Sequence, residues 1–273
     1  GKLMADSVRI ERLGTLPGGG QVFVTSGTTP IASDEGVQRF GNTASGRPVL
    51  RTFVVRNVGS GVLTLDQNLV APEGYSIVTL PSARLAPGTS TTVTVRLDAG
   101  APGDCTGTLV LLSDSRVRPE FGINISGTVA PVVKTVDDGD ATFAATGSWT
   151  LTHPGYRNDG QSAQAGSGSA TATWTFNGLV AGLFRVFVTW AGSSTLDATR
   201  ASDAPYFVSV GENEPTEIRV DQRTAPTDVL IQGAGWHTLG EFRVIGTTLA
   251  VQLNNLADGP VSADAVRIER IGN

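Results

Sequence analysis

The sequence predicts an all-β protein made of two domains. Its 273 residues include 34 Gly and 14 Pro, which fall at short, regular intervals between runs rich in Thr and Val. That distribution is typical of short strands joined by turns. The apolar i, i+3, i+4 spacing that would indicate a helix is not sustained in any window. The length suits two domains of roughly 110–140 residues, each large enough for its own core.

An internal repeat indicates how the chain is organised. Residues 1–14, GKLMADSVRIERLG, recur 258 positions later as residues 259–272, GPVSADAVRIERIG, with nine of fourteen positions identical, so that Asp6 matches Asp264. A period of this size is a pair of domains rather than a small solenoid repeat. We therefore expect residues 1–14 to be the closing strand of a preceding repeat copy. Catalytic machinery is rarely repeated in series, so a tandem array of such units favours a structural role or multivalent binding.

The first domain is predicted over residues 20–129. Apolar and polar residues alternate in TTVTVRL (91–97) and in FGINIS (121–126), as expected of half-buried strands. Turn signals such as NVGSG (57–61) and APG (86–88) separate the strands at intervals of 8–14 residues. Together these features predict an Ig-like β-sandwich of about seven strands. Gly59 and Gly61 are expected to allow a tight turn between paired strands.

Several stretches of this domain resemble a known family. They are FG (40–41), TFVVRNVGSGVLTL (52–65), LAPGTSTTVTVRLD (85–98) and ISGTV (125–129). They are similar to the ASPM/SPD-2/hydin type of Ig-like domain, also seen as the choice-of-anchor repeat of bacterial surface proteins. The resemblance implies a structural spacer without catalytic residues.

The second domain is predicted over residues 135–273 and contains all four tryptophans. In LFRVFVTW (183–190) the even-numbered residues share one face, which favours a core position for Trp190. The ordered motifs of this region are VDDGDATFAATGSW (136–149), SATATW (169–174), FRVFVTW (184–190), TRASDAPYFV (199–208), VDQ (220–222), GWHTLGEFRV (235–244) and SADAVRIERI (262–271). They resemble the golvesin C-terminal-like domain, also described as a xanthan-lyase-type carbohydrate-binding region. That resemblance implies a jelly-roll β-sandwich with a polysaccharide-binding role.

Six residues are candidates for contact with a sugar, because aromatic faces stack on pyranose rings and polar side chains bind their hydroxyls. They are Trp149, Tyr156, Arg157, Asp159, Arg200 and Trp236. The alternative is that both tryptophans fill the ends of the sandwich and that Arg200 pairs with a local carboxylate.

A second candidate site is acidic. Asp137, Asp138 and Asp140 lie at the first strand of the second domain, and Asp264 lies in its last. In β-sandwich sugar-binding modules the first and last strands are neighbours. Carboxylates and backbone oxygens at that position often hold a structural Ca²⁺. The alternative is that Asp-Asp-Gly-Asp forms a β-turn and Asp264 accepts hydrogen bonds from backbone N–H groups.

Other classes of function are disfavoured. The net charge is −5 and no run of Lys or Arg indicates a nucleic-acid or membrane surface. The sequence has no CxxC or HExxH motif and suggests no Ser–His–Asp arrangement, so we expect no enzyme. Scarce Lys with abundant Thr, Ser, Gly and Asp is common in exported bacterial β-proteins.

The sequence thus predicts a non-catalytic structural or adhesive repeat unit of a large tandem-repeat extracellular surface protein. Its expected partners are neighbouring repeat copies and a polysaccharide or cell-surface glycan. The alternative is a pair of carbohydrate-binding modules appended to a polysaccharide-degrading or cell-wall enzyme. The number of copies in the parent reading frame distinguishes the two.

Overall fold

The computed structural model describes residues 18–153, 155–192 and 198–273. Two compact units are present. The first comprises 18–41, 49–98 and 104–128 of the described chain, and the second comprises the remaining described residues. The predicted closing strand of a preceding repeat, residues 1–14, lies outside the described residues.

The all-β prediction is confirmed. Strands make up both units, and within the described ranges the one helical element is a short 3₁₀ turn at Tyr156–Asn158. No helix in this part of the chain is long and apolar enough to cross a membrane.

The first ten strands form the first sandwich. They are β1 (Val22–Ser26), β2 (Thr29–Ile31), β3 (Gln38–Ala44), β4 (Val49–Asn57), β5 (Leu63–Thr64), β6 (Tyr75–Thr79), β7 (Arg84–Leu85), β8 (Ser90–Leu97), β9 (Gly103–Leu112) and β10 (Glu120–Ala130). One sheet has the order β2-β1-β4-β8-β6, a second has the order β3-β10-β9, and β5 pairs with β7. Val93, Val95 and Leu97 of β8 are fully buried, as the alternation predicts, and Ile123 and Ile125 of β10 are buried as well. The core of this unit is therefore made largely of aliphatic side chains.

A buried asparagine organises the turn after β4. Asn57 is fully buried, and its Nδ2 donates to the carbonyl oxygens of Gly61 (2.7 Å) and Leu85 (2.9 Å). Its Oδ1 accepts from the backbone N–H groups of Gln21 (3.1 Å) and Gly59 (3.0 Å). All four hydrogen bonds that a primary amide commonly makes are thus satisfied inside the protein.

The two glycines of this turn have a different role from the one predicted. Gly59 and Gly61 do not have a positive φ, and β4 does not pair with the next strand, β5. A Cβ at either position would instead collide with the backbone of residues 18–21. These glycines are needed for the close approach of two chain segments rather than for a tight turn between paired strands. Gly88, by contrast, has φ +77° and serves the second predicted turn.

The remaining thirteen strands form the second sandwich. They are β11 (Val132–Val136), β12 (Phe143–Thr146), β13 (Thr150–Leu151), β14 (Gln161–Ala163), β15 (Thr171–Phe176), β16 (Gly182–Val188), β17 (Ala204–Val210), β18 (Thr216–Val220), β19 (Val229–Ile231), β20 (Ala234–Val244), β21 (Leu249–Asn254), β22 (Val261–Ala263) and β23 (Val266–Gly272). Two five-stranded sheets have the orders β11-β23-β16-β20-β19 and β12-β15-β21-β17-β18. A third sheet has the order β13-β14-β22.

The core of the second unit lies between its two five-stranded sheets. Trp174 and Tyr206 from one sheet join Phe184 and Ile268 from the other in a single buried cluster. The first and last strands of the unit are neighbours, with Val136 opposite Val266. The residues that follow β11 and precede β23 therefore meet at one end of this pair.

Candidate metal centre

Three buried aspartates come together at the end of the β11–β23 pair. Asp137 and Asp138 directly follow β11, and Asp264 lies between β22 and β23. Their exposed fractions are 2%, 7% and 1%, and one carboxylate oxygen of each lies within 4.8 Å of those of the others. The pairing of the first and last strands thus brings three of the four predicted metal ligands into one buried group.

The hydrogen bonds around this cluster leave part of it unsatisfied. Both carboxylate oxygens of Asp264 accept from the backbone N–H of Tyr156, at 3.1 and 2.9 Å. Oδ1 of Asp137 accepts from the backbone N–H of Asp138 at 3.1 Å. Oδ1 of Asp138 is buried and has no hydrogen-bond partner among the described residues. A buried carboxylate oxygen without a partner is costly, and a bound cation is one group that would satisfy it.

The pKa values of these aspartates reflect burial first and mutual repulsion second. Burial raises the pKa of Asp264 to about 8; the N–H of Tyr156 opposes this shift, and neighbouring carboxylates add to it. Burial also raises the pKa of Asp137 to about 6, with further increases from Asp159 and Asp138. Nη1 of Arg157 lies 3.6 Å from Oδ2 of Asp137, but the side chain of Arg157 is 57% exposed. One largely solvated guanidinium does not balance a cluster of buried carboxylates.

The loop around the 3₁₀ turn places a further carboxylate, that of Asp159, near the cluster. Burial and the charge of Asp159 both raise the pKa of Asp138, and Oδ1 of Asp159 is buried without a partner among the described residues. A Cβ at Gly155 would meet Oδ2 of Asp264 at 2.9 Å and would collide with the backbone of Asp159. The loop therefore packs directly against Asp264. Asp159, a sugar-contact candidate in the sequence, lies instead beside the acidic cluster.

Asp140 has a different position from the other predicted ligands. Its Oδ2 accepts from the backbone N–H of Asp137 at 2.9 Å, and its own N–H donates to the carbonyl oxygen of Asp137 at 3.0 Å. Its Oδ1 lies 3.5 Å from Nη1 of Arg157. Asp140 thus closes the Asp-Asp-Gly-Asp turn, which is the alternative that the sequence left open for this segment.

The donor atoms of the cluster suit a hard cation. The three clustered side chains offer carboxylate oxygens, and Ca²⁺ takes six to eight oxygens from carboxylates, carbonyls and water. Oδ1 of Asp138 and Oδ1 of Asp159 are buried atoms without a partner in the described chain. Asp137, Asp138 and Asp264 are the residues that would hold the ion.

Trp236, a sugar-contact candidate, lies inside the protein. It is 1% exposed and packs against Phe187 and Ala265, with its ring centroid 5.3 Å from that of Tyr156. Its ring has no free face for a ligand, and this position matches the alternative that the sequence left open.

The other candidates are distributed between the core and the surroundings of the acidic cluster. Trp149 packs partly against the main core, and its Nε1 donates to the carbonyl oxygen of Thr146 at 2.9 Å. Arg157 lies over the ring of Tyr156, with the guanidinium carbon 5.5 Å from the ring centroid, and its φ is +55°. Arg200 is partly buried, and its charge opposes the burial-driven rise in the pKa of Tyr206. Tyr156, Arg157 and Asp159 therefore lie together, beside the acidic cluster.

Comparison with known proteins gives a family match for the second unit. The model of the golvesin C-terminal domain matches residues 134–270. No curated protein matches the chain.

Solved structures with detectable likeness share little sequence with this chain. A xanthan lyase from Paenibacillus matches with a TM-score of 0.45 and 16% identity, over 82% of this chain and 23% of the lyase. A protein of unknown function from Porphyromonas gingivalis W83 matches with a TM-score of 0.31 and 17% identity, over 40% of this chain and 46% of that protein. The CBM35 of Abf62 from Cellvibrio japonicus matches with a TM-score of 0.31 and 15% identity, over 52% of this chain and 99% of the module.

The chain thus spans about a quarter of the length of the xanthan lyase. The family model, in contrast, matches 137 of the 273 residues, from β11 to β23. Through this second unit, the chain belongs to the golvesin C-terminal domain family.

Proposed function

We propose that this chain is a non-catalytic, calcium-stabilised adhesive repeat unit of a large tandem-repeat extracellular surface protein. The observation that carries the proposal is the cluster of Asp137, Asp138 and Asp264, which buries three carboxylates within 4.8 Å of one another. One of its members, Asp264, belongs to the segment that is repeated at residues 1–14, where Asp6 matches it. A structural cation ligand in the repeated segment fits a unit that is built to occur in series.

Calcium connects this cluster to an extracellular location. Extracellular modules bind Ca²⁺ with dissociation constants of about 10⁻⁴–10⁻³ M, because the ion is abundant outside cells. A site of that affinity would be filled outside a cell and largely empty inside one. The family and this cluster together support an exported protein.

The geometry of the cluster supports a non-catalytic role. Glycoside hydrolysis needs two carboxyl groups about 5–9.5 Å apart with a sugar between them. Here the carboxylate oxygens lie within 4.8 Å of one another and the residues are at most 7% exposed. Carboxylates buried to this extent are not accessible to a sugar ring, which supports a non-catalytic role for the cluster.

The first unit is proposed to be an Ig-like spacer of the ASPM/SPD-2/hydin type. Support comes from the RNVGSG motif, in which Asn57 holds the turn through four internal hydrogen bonds. The adhesive partner of the second unit is proposed to be a polysaccharide, as the resemblance to the golvesin-type carbohydrate-binding region implies.

Calorimetry of the whole chain in millimolar Ca²⁺ and in EGTA tests this proposal. We expect Ca²⁺ to raise the melting temperature of the second unit, because an ion that binds only the folded state stabilises it. Asp264→Asn should abolish this response, since the amide keeps the shape of the side chain but loses its charge. Asp140→Asn is the matched control and should retain most of the response. Identical scans of the unmodified chain with and without Ca²⁺ would contradict the proposal.

A further inference from the structure

The second unit contains an open groove that is separate in its lining from the acidic cluster. Its volume is about 560 Å³, within the range of small-molecule sites. Its polar lining consists of hydroxyl and amide side chains, chiefly those of Ser148, Thr150, Thr152, Ser162, Gln164 and Asn255. The residues that line it include no ionisable side chain.

The strand register explains why one face of this hairpin is polar. Thr150 of β13 lies directly opposite Ser162 of β14, so their side chains point to the same face. Ser148 and Thr152 lie on either side of β13 and Gln164 follows β14, and all three also line the groove. The groove therefore follows this strand pair, and the polar side chains along it are uncharged.

The lining of the groove offers hydroxyl groups for hydrogen bonding, including those of Ser148, Thr150 and Ser162. A hydroxyl both donates and accepts, which is also the hydrogen-bonding character of a sugar hydroxyl. A ligand rich in hydroxyl groups would satisfy this lining, whereas an apolar ligand would leave its polar atoms desolvated and unpaired.

One wall of the groove is rigid. Oδ1 of Asn255 accepts from the backbone N–H groups of Gly168 (3.0 Å) and Ala170 (3.2 Å). Its Nδ2 donates to the carbonyl oxygen of Gln164 at 2.9 Å. Asn255 thus fixes the loop that forms the rim, and a groove held in shape before binding loses less entropy when a ligand enters.

We propose that this groove binds a segment of a neutral polysaccharide. A charged glycan would find no counter-charge in the lining, while uncharged sugar hydroxyls match the Ser, Thr and Gln side chains. This inference rests on the proposed adhesive function and deepens it by assigning the ligand class and the surface. It also moves the sugar-binding surface away from Trp236, which is buried.

Native gel electrophoresis in Ca²⁺ through gels that contain a dissolved polysaccharide tests the groove. The neutral probes are galactomannan, xyloglucan and mixed-linkage β-glucan, and the anionic probes are hyaluronan and carboxymethylcellulose. We expect at least one neutral polysaccharide to retard the chain and the anionic ones not to. Ser162→Tyr fills the groove and should weaken retention at least about tenfold, equivalent to about 1.4 kcal/mol. Thr216→Val in β18, which lies outside the groove, is the control and should leave retention unchanged.

Three results would overturn the inference: no retention by any neutral probe, retention only by anionic probes, or equal retention of Ser162→Tyr and the unmodified chain. If Ser162→Tyr lowers the melting temperature of the second unit, Thr150→Ala combined with Gln164→Ala replaces it and should weaken retention in the same direction. The Ca²⁺ response of the same samples reports on the metal centre separately. A chain that keeps this response but fails to bind through the groove retains the proposed metal centre and loses only the inference about its ligand.

Discussion

The two units bury polar side chains in opposite ways. In the first, Asn57 is fully buried and makes four hydrogen bonds inside the protein. In the second, Asp138 is 7% exposed and its Oδ1 has no partner among the described residues, beside two further buried carboxylates. A neutral, satisfied amide needs nothing from the solvent, whereas clustered buried carboxylates must be protonated or paired with a cation. We therefore expect the stability of the second unit, unlike that of the first, to depend on pH and on cations.

Their aromatic content also differs, and this provides a way to observe each unit. All four tryptophans, at positions 149, 174, 190 and 236, lie in the second unit. Trp fluorescence therefore follows the second unit alone, while far-UV circular dichroism follows both. A change in dichroism without a change in Trp fluorescence reports the first unit.

The largest expected loss of stability comes from a substitution in the core of the second unit. Trp236→Ala should lower its free energy of unfolding by about 3–5 kcal/mol, because the change removes a fully buried aromatic side chain. Trp149→Ala, at a half-buried position, is the matched control and should cost clearly less. Urea denaturation followed by Trp fluorescence measures both. A loss below about 1 kcal/mol for Trp236→Ala would contradict its place in the core.

The next largest loss of stability is expected from removing the buried amide of the first unit. Asn57→Ala should lower the free energy of unfolding of that unit by about 2–3 kcal/mol, because it leaves buried backbone groups without partners. The Trp fluorescence transition should not move. Asn68→Ala, an exposed position in the same unit, should change stability by less than about 0.5 kcal/mol. Equal costs for the two variants would show that the internal network of Asn57 is not stabilising.

A smaller effect concerns pH in the presence of EGTA. The pKa of Asp264 is raised to about 8 and that of Asp137 to about 6, both above the ordinary value of 3.8. Between about pH 4 and pH 8 the folded state thus binds protons that the unfolded state has released, so stability falls as pH rises through this window. We expect the metal-free second unit to melt at a higher temperature at pH 5 than at pH 8.

The same pH comparison has two controls. The first unit should melt alike at both values, and Asp264→Asn should remove most of the slope of the second. Calorimetry at the two pH values tests this. A metal-free second unit that becomes more stable from pH 5 to pH 8 would refute the assigned cause.

The smallest effect is at the surface of the second unit. Arg185 and Glu241 are cross-strand partners, with Nη2 2.6 Å from Oε1, but both side chains are 43% exposed. Arg185→Gln should therefore change the free energy of unfolding by no more than about 0.5 kcal/mol. Urea denaturation with and without added salt checks this value. A larger, salt-insensitive loss would mean that the pair is more shielded from solvent than its exposure indicates.

The strands were predictable from sequence because alternation reports a sheet with one buried face. This held for Val93, Val95 and Leu97 in β8. It was incomplete in β16, where the register shifts between Val186 and Phe187 and Phe187 is buried as well. Phe187 packs with Trp236 in a separate small cluster, so this part of the sheet is covered on both faces. A period-two pattern does not show such a second layer.

The acidic site was predictable only in part, for a similar reason. Asp137, Asp138 and Asp264 could be expected to meet because the first and last strands of such a sandwich are neighbours. The position of Asp159 near the cluster depends on the loop at residues 155–160. The sequence of this loop has no periodic pattern from which that position could be predicted. One signal was available in the sequence: Gly155 and Gly160 bracket this loop and allow its close approach to Asp264.

The pairing of β11 with β23 has a mechanical consequence. Val132 lies opposite Arg270 at one end of this ladder, and Val136 lies opposite Val266 at the other. Tension applied to the chain at Val132 and Gly272 would therefore pull on the same end and break the hydrogen bonds between the two strands one after another. Asp137 and Asp264 lie beyond the far end, where a cation would be the last tie between the strands. In single-molecule pulling we expect Ca²⁺ to leave unchanged the force at which the β11–β23 ladder begins to open. The force needed to separate the two strands completely should rise.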